Sequence, residues 1–234
     1  MFKNVRAVPR EGTKGAATRE RVLGAALGLF RRRGYERTTM REVAGAAGLA
    51  LGAAYHYFPS KDALVLAWFD RIQDEHERLA REAPAAGAAA DPAARLRTLV
   101  RTKLDLLRRD RKLLAALFAS LGDPTHPLAL FGRRTAGVRR RSIAQFEEAF
   151  EGLEPETRTL LGRIAWLGHL ALILFFLHDR SPGQARTSRL AEEVLELGAG
   201  ALALVTHPLA APVRARLSAL VRGFAFEEEG KEDR

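Results

Sequence analysis

The 234-residue chain contains no cysteine. That absence excludes disulfide staples, a thiolate zinc site and a cysteine nucleophile together, and it suits a reducing compartment. Long apolar runs are missing too. The longest, Ile164 to Leu177, has 14 residues and contains His169, whereas a bilayer helix needs about 20. The first twenty residues hold no signal-peptide core before their charges resume. The expectation is a soluble, cytoplasmic chain with no membrane contact. No phosphate-binding loop, no Gly-x-Ser-x-Gly elbow and no His-Glu-x-x-His pair occurs. The six histidines (His56, His76, His126, His169, His178, His207) never stand three or four apart, so no helical metal site is indicated. Gly198 to Ala203 loosely matches a dinucleotide fingerprint, but no strand precedes it. Neither cofactor, metal nor catalytic constellation is expected, and the chain reads as a non-enzyme.

Acidic charge is also in short supply. Lys and Arg number 38 against 28 Asp and Glu, for a net +10. The excess is concentrated: residues 1–62 hold twelve basic and five acidic side chains, a local +7. A basic module of that size makes nucleic acid the first partner to consider.

Apolar residues make up 47% of the chain, enough for a sizeable core, and their spacing is helical throughout. No segment shows sustained strand alternation, so the fold class is all-α. Residues 1–17 lack periodicity and read as a disordered basic arm. From Thr18, a plausible N-cap, Val22, Ala25, Ala26, Leu29 and Phe30 form one helical stripe that ends at Gly34. Thr39-Met40-Arg41-Glu42 is a capping box that opens a second helix, stopped by Gly48. A short third helix covers about 51–57 and is ended by Pro59. A fourth runs from Ser60 to about Glu82, and 83–93 is a small-residue loop. Further helices are expected near 94–109, 111–121, 128–151, 156–178, 184–206 and 209–222. The implied organisation is an arm (1–17), a helix-turn-helix domain (18–60), a helical effector-binding and dimerisation domain (61–224) and an acidic tail (225–234).

Thr39 to Tyr57 carries the functional signal. Helix, tight turn at Gly48 and short helix is the helix-turn-helix arrangement, whose second helix enters the major groove of DNA. Gly48 permits the left-handed backbone of the turn, and small Val43, Ala44, Leu49 and Ala54 let the two helices cross closely.

Residues 18–68 closely resemble the DNA-binding domain of the TetR/AcrR family of transcriptional regulators. The resemblance is carried by the stripe ending in Phe30, by Gly34-Tyr35, Thr38-Thr39, Val43-Ala44 and Ala47-Gly48, and by Tyr55-His56-Tyr57-Phe58 with Ser60-Lys61 and Leu64. It implies an N-terminal three-helix DNA-binding domain followed by a divergent helical domain. It also implies residue roles. Thr39 presents hydroxyl and amide to a phosphate, and Arg41 faces the groove, where a guanidinium can fork onto guanine. Tyr55 and His56 project from the recognition helix, and Lys61 lies near the DNA backbone. Phe58 is expected in the core. One departure stands out: the family commonly opens this helix with Ser, Lys and Gly-Thr, where this chain has Ala50, Leu51, Gly52 and Ala53. With the polar contacts gone, affinity must lean on Arg41, Tyr55, His56, Lys61 and the basic arm, or the recognition helix reads thymine methyl groups through Leu51 and Ala53.

The helix around Ile164 to Leu177 is apolar on all sides except at His169, and Leu197 to Val205 behaves likewise. A helix apolar all round must be covered all round. A second copy of the chain is one cover and burial in the core of a monomer the other, and the resemblance implies dimerisation through the last two long helices. An effector pocket suited to a mostly apolar small molecule is expected from Leu107, Leu114, Phe118, Leu121, Phe131, Trp166, His169 and Phe176, each of which could equally be plain core. The leading expectation is a ligand-responsive repressor that binds double-stranded operator DNA as a homodimer. A helical enzyme with an unrecognised site and an architectural DNA-binding protein without effector are the alternatives.

Overall fold

In the computed structural model, residues 11–83 and 91–225 are described, and every regular element among them is helical. Helix α1 spans Glu11–Arg33, α2 Met40–Ala46, α3 Leu51–Tyr57 and α4 Lys61–Glu82. They are followed by α5 (Pro92–Arg108), α6 (Arg111–Gly122), α7 (Ala136–Glu148), α8 (Pro155–His178), α9 (Ala185–Thr206) and α10 (Ala211–Ala225). The all-α reading holds. Two compact units divide the chain: residues 1–71 with 112–135, and residues 72–111 with 136–234. The long helix α4 gives its first half to one unit and its second half to the other.

Helix α1 starts seven residues earlier than the stripe suggested, so Thr18 lies inside it rather than at its cap. Of the stripe, Val22, Ala26, Leu29 and Phe30 are buried, with Leu23 and Leu27 between them, and Ala25 is half-buried. Gly34, at φ +87°, turns the chain out of the helix while its amide still donates to the Phe30 carbonyl. Residues 1–10 of the expected arm, and residues 226–234 of the expected tail, lie outside the described residues.

The single helix expected over 128–151 is broken. Thr135 Oγ1 donates among the carbonyls of Ala129, Leu130 and Gly132, at 2.6 to 3.1 Å, and holds a short 3₁₀ turn at Arg133–Thr135. The local hydroxyl competes with the helical ladder, and α7 begins only at Ala136.

In the second unit α8 is the central helix, packed against α5, α7, α9 and α10. Pro155 begins it at a position that needs no amide partner, and Glu154 caps it by accepting from Glu156 N and Thr157 N. It is 24 residues long and apolar enough, by length and composition, to cross a membrane. Six of its side chains, among them Trp166, His169 and Phe176, are buried against its neighbours. Gly162 lets α7 come within contact of its backbone: a Cβ there would stand 2.6 Å from Glu147 Cα. At the far end Asp179 accepts from the amides and hydroxyls of both Ser181 and Thr187, joining α8 to α9.

Candidate nucleic-acid interface

The interface is built from α2 and α3, which rest on α1. The capping box forms as its sequence requires: Thr39 Oγ1 accepts from Glu42 N at 3.3 Å, and Glu42 Oε2 accepts from Thr39 N at 2.8 Å. The Glu42 carboxyl lies below the ordinary carboxylate range because it takes the Thr39 amide and hydroxyl and sits beside Arg33. At the other end of α2, Leu49 N donates to Ala44 O and Gly48 N to Gly45 O. Gly48 stands between them at φ +66°. This six-to-one closure is the Schellman turn, and it aims α3 across α2.

Helix α3 has no side-chain cap, since Ala50 offers none. Its seat is Ala54, fully buried, with Phe58 behind it. Gly52, Tyr55 and His56, spaced three and four apart, therefore form one face open to solvent, and Leu51 and Ala53 flank it half-buried. Thr39 and Arg41 are exposed in the same unit. Tyr35, beneath this layer, donates its hydroxyl to Asp62, and burial together with that carboxylate raises its pKa.

Lys61 is placed differently from the expectation of a free phosphate ligand. Its ammonium donates to the carbonyls of Tyr35 (3.0 Å) and Glu36 (3.3 Å) and lies 4.4 Å above the Tyr35 ring. Two of its three donors are thus spent on tying the start of α4 to the turn after α1.

The eight residues expected to line a pocket are divided between the units. Leu107, Trp166, His169 and Phe176 belong to the second, all buried, whereas Leu114, Phe118, Leu121 and Phe131 belong to the first. Phe118 and Phe131 are exposed, at 41% and 46%. Trp166 donates to Ser142 Oγ, and His169 stacks at 5.1 Å on Phe146. A cavity of about 530 Å³ opens in the second unit, lined in part by Glu77, Arg81, Leu99, Gln145 and Glu148. None of the eight lines it.

Sequence reasoning passed over a polar cluster in this unit. Lys103, buried in α5, donates to Gln73 Oε1 at 2.9 Å, and Gln73 Nε2 donates to Gln145 Oε1 at 3.0 Å. His76 bonds the Leu99 carbonyl at 2.9 Å. Burial, more than any neighbour, lowers Lys103 to about 7 and His76 to about 3. His169 is also held well below its usual value, by burial and by the nearby Lys103 and His76 charges. The signal was present: Lys103 falls on the stripe of Leu99, Val100, Leu104 and Leu107, where a lysine breaks an otherwise apolar face.

Residues 22–68 match the family model described as bacterial regulatory proteins, tetR family. An HTH-type transcriptional regulator of Mycobacterium tuberculosis is 31% identical over 194 residues, covering 81% of this chain and 91% of that protein. A TetR transcriptional regulator from Nitrosomonas europaea superimposes with a TM-score of 0.60 at 21% identity, over 78% of this chain and 98% of its own. The FadR repressor of Thermus thermophilus, solved in complex with lauroyl-CoA, gives a TM-score of 0.53 at 26% identity, over 76% and 92%. The N-terminal helix-turn-helix, the helical domain behind it and a relative matched over nearly its whole length lead to one conclusion: the chain belongs to the TetR family of bacterial DNA-binding transcriptional regulators.

Proposed function

We propose that this chain is a cytoplasmic, homodimeric repressor that leaves a palindromic operator when a small molecule enters its second unit. The observation that carries the DNA half is the solvent-facing set Arg41, Gly52, Tyr55 and His56, presented on a braced helix-turn-helix. Thr39, Leu51 and Ala53 flank it, with the methyl-reading role of the last two replacing the missing Ser and Lys. Lys61 acts by holding α4 in place beneath this face.

The dimer half is supported by α9 and α10, which leave a long apolar surface open in the single chain. Leu190, Val194, Leu197 and Leu204 repeat at helical spacing on α9, and Leu197 and Leu204 are each 74% exposed. A surface of this kind marks a partner site, and a second copy satisfies it for both chains at once. The same covering accounts for the apolar outer face of α8, with Ile164 and Leu174 each 40% exposed, without a membrane.

The effector half draws on the buried core around Leu107, Trp166, His169 and Phe176 and on the ligand named for the Thermus relative. No catalytic role is assigned to any residue.

Sedimentation at micromolar concentration tests the assembly, with fragments retained from the organism's own genome as DNA. A dimer is expected alone and on DNA, and Leu197→Glu with Leu204→Glu should give a monomer that keeps its helical content and loses operator binding. Wild type sedimenting as a monomer in both conditions would contradict the proposal. Effector control is tested by titrating each DNA-releasing compound with and without operator. Linkage requires the operator to weaken the compound by the factor by which the compound weakens the operator. Equal affinities would refute it.

A further inference from the structure

Four helices of the second unit bring polar side chains into one buried place: Gln73 and His76 from α4, Lys103 from α5, Gln145 from α7 and His169 from α8. Their mutual bonds leave much unsatisfied. The Leu99 carbonyl can only accept, so His76 donates through Nε2 and its Nδ1 is left as a bare acceptor. Gln145 faces His76, and among the described residues neither its Nε2 nor either ring nitrogen of His169 has a partner at hydrogen-bonding geometry. Lys103 has three donors when charged and spends one, on Gln73.

Buried polar groups are almost always satisfied, and a set of orphans in one place calls for an absent partner. The glutamate close by does not supply it. Glu77 is occupied by Arg141, which donates to both its carboxylate oxygens at 3.0 and 2.9 Å, and by Gln73 Nε2 at 3.1 Å. What remains around Lys103 is a surplus of donors: two ammonium N–H groups, the Gln145 amide and one imidazole N–H. The open cavity of about 530 Å³ has Glu77, Leu99 and Gln145 in its lining, so it borders the cluster at those residues. The surrounding buried side chains are apolar, Leu104, Phe146 and Trp166 among them.

We propose that Lys103, with Gln145 and His169, is the head-group site of the effector, and that it takes the carboxylate of a small organic acid with an apolar body. This rests on the effector-responsive reading above and gives that effector a chemical class. One ammonium and a few neutral donors match a singly charged, two-oxygen acceptor. Within the cluster Arg141 is committed to Glu77 and Asp74, so Lys103 supplies the positive charge there, enough for a singly charged head group. Binding of the anion also restores the charge that burial takes from Lys103, so a proton should be taken up with the ligand near neutral pH.

The test uses the full chain with butyrate, octanoate, laurate and benzoate, each beside the alcohol of the same carbon skeleton, and inorganic phosphate as control. Calorimetry gives the affinities, and nitrogen NMR follows the His76 and His169 rings. At least one carboxylate should bind tenfold or more tightly than its alcohol and shift the His169 resonances, and phosphate should not bind. Lys103→Met should abolish the preference for acid over alcohol, and Gln145→Leu should reduce it should Lys103→Met not fold. Equal affinity for acid and alcohol, no binding by any carboxylate, or a preference untouched in the folded variant would overturn the proposal. The two readings separate in the same series. Operator release by the alcohols alone keeps effector control and removes the anion site, whereas a carboxylate held at Lys103 with no effect on the operator keeps the site and removes effector control.

Discussion

Arg41 stands at the second position of α2, exposed and without a partner among the described residues. Its neighbour Arg33 is by contrast engaged with Glu42. An exposed guanidinium at the start of α2 is available for a base or a phosphate. Arg41→Ala is therefore expected to cost about 1–3 kcal/mol on the specific site if it reads a guanine. Competition binding against random DNA checks this, since a phosphate contact would lower both affinities alike. A second expectation concerns Lys103, whose pKa falls from 10.5 to about 7 on folding. Between those values the unfolded chain binds more protons, so stability should rise with pH from about 7 to about 10.5. Below pH 7 both states carry the proton and this contribution is flat. Lys103→Met should remove the rise and, by relieving a buried charge, stabilise the ligand-free protein by about 1–4 kcal/mol. Urea unfolding at a series of pH values measures both effects. At this scale the sequence was legible where a residue acts on its own neighbours. The Thr39–Glu42 box and the Gly48 turn are local, and both formed. The contacts of Lys61 were not legible, because its acceptors, the carbonyls of Tyr35 and Glu36, lie 26 and 25 residues back. The Lys103 cluster draws on four helices, and no spacing along one of them reveals it.

Among the elements, the α7–α8 pair has the narrowest tolerance. Gly162→Ala would drive a Cβ to 2.6 Å from Glu147 Cα and 2.8 Å from its amide nitrogen. Backbone cannot swing aside as a side-chain tip can, so the helices must separate. Overpacking of this kind costs about 1–3 kcal/mol, to be read from thermal unfolding, with Gly168→Ala, which meets nothing within 4 Å, as the control. Equal effects from both would show that the close approach is not real. The existence of the long helices followed directly from apolar periodicity and from proline at their starts. Their limits were less accessible. The break at Arg133–Thr135 depends on one hydroxyl turning back to carbonyls behind it, and the extension of α1 to Glu11 crosses residues with no apolar stripe to announce it.

On the scale of the whole molecule, charge and coupling decide the behaviour. Residues 1–62 carry +7 in each chain, so DNA affinity should fall steeply as salt releases its counterions. Removing residues 1–10, which hold Lys3, Arg6 and Arg10 and no acid, should flatten the slope of log affinity against log salt. An unchanged slope would place those charges off the DNA. Effector control asks little of the fold: a hundredfold loss of operator affinity corresponds to about 2.7 kcal/mol of differential binding. The central claim, that two copies of this chain read DNA through Tyr55, His56 and Arg41, is most directly tested by footprinting a fragment the protein retains from its own genome. The account predicts a two-fold symmetric footprint, with two protected major-groove segments about 34 Å apart or a multiple of that, which fades in Tyr55→Ala with Arg41→Ala. A single asymmetric footprint, or a symmetric one that survives those substitutions unchanged, would contradict it.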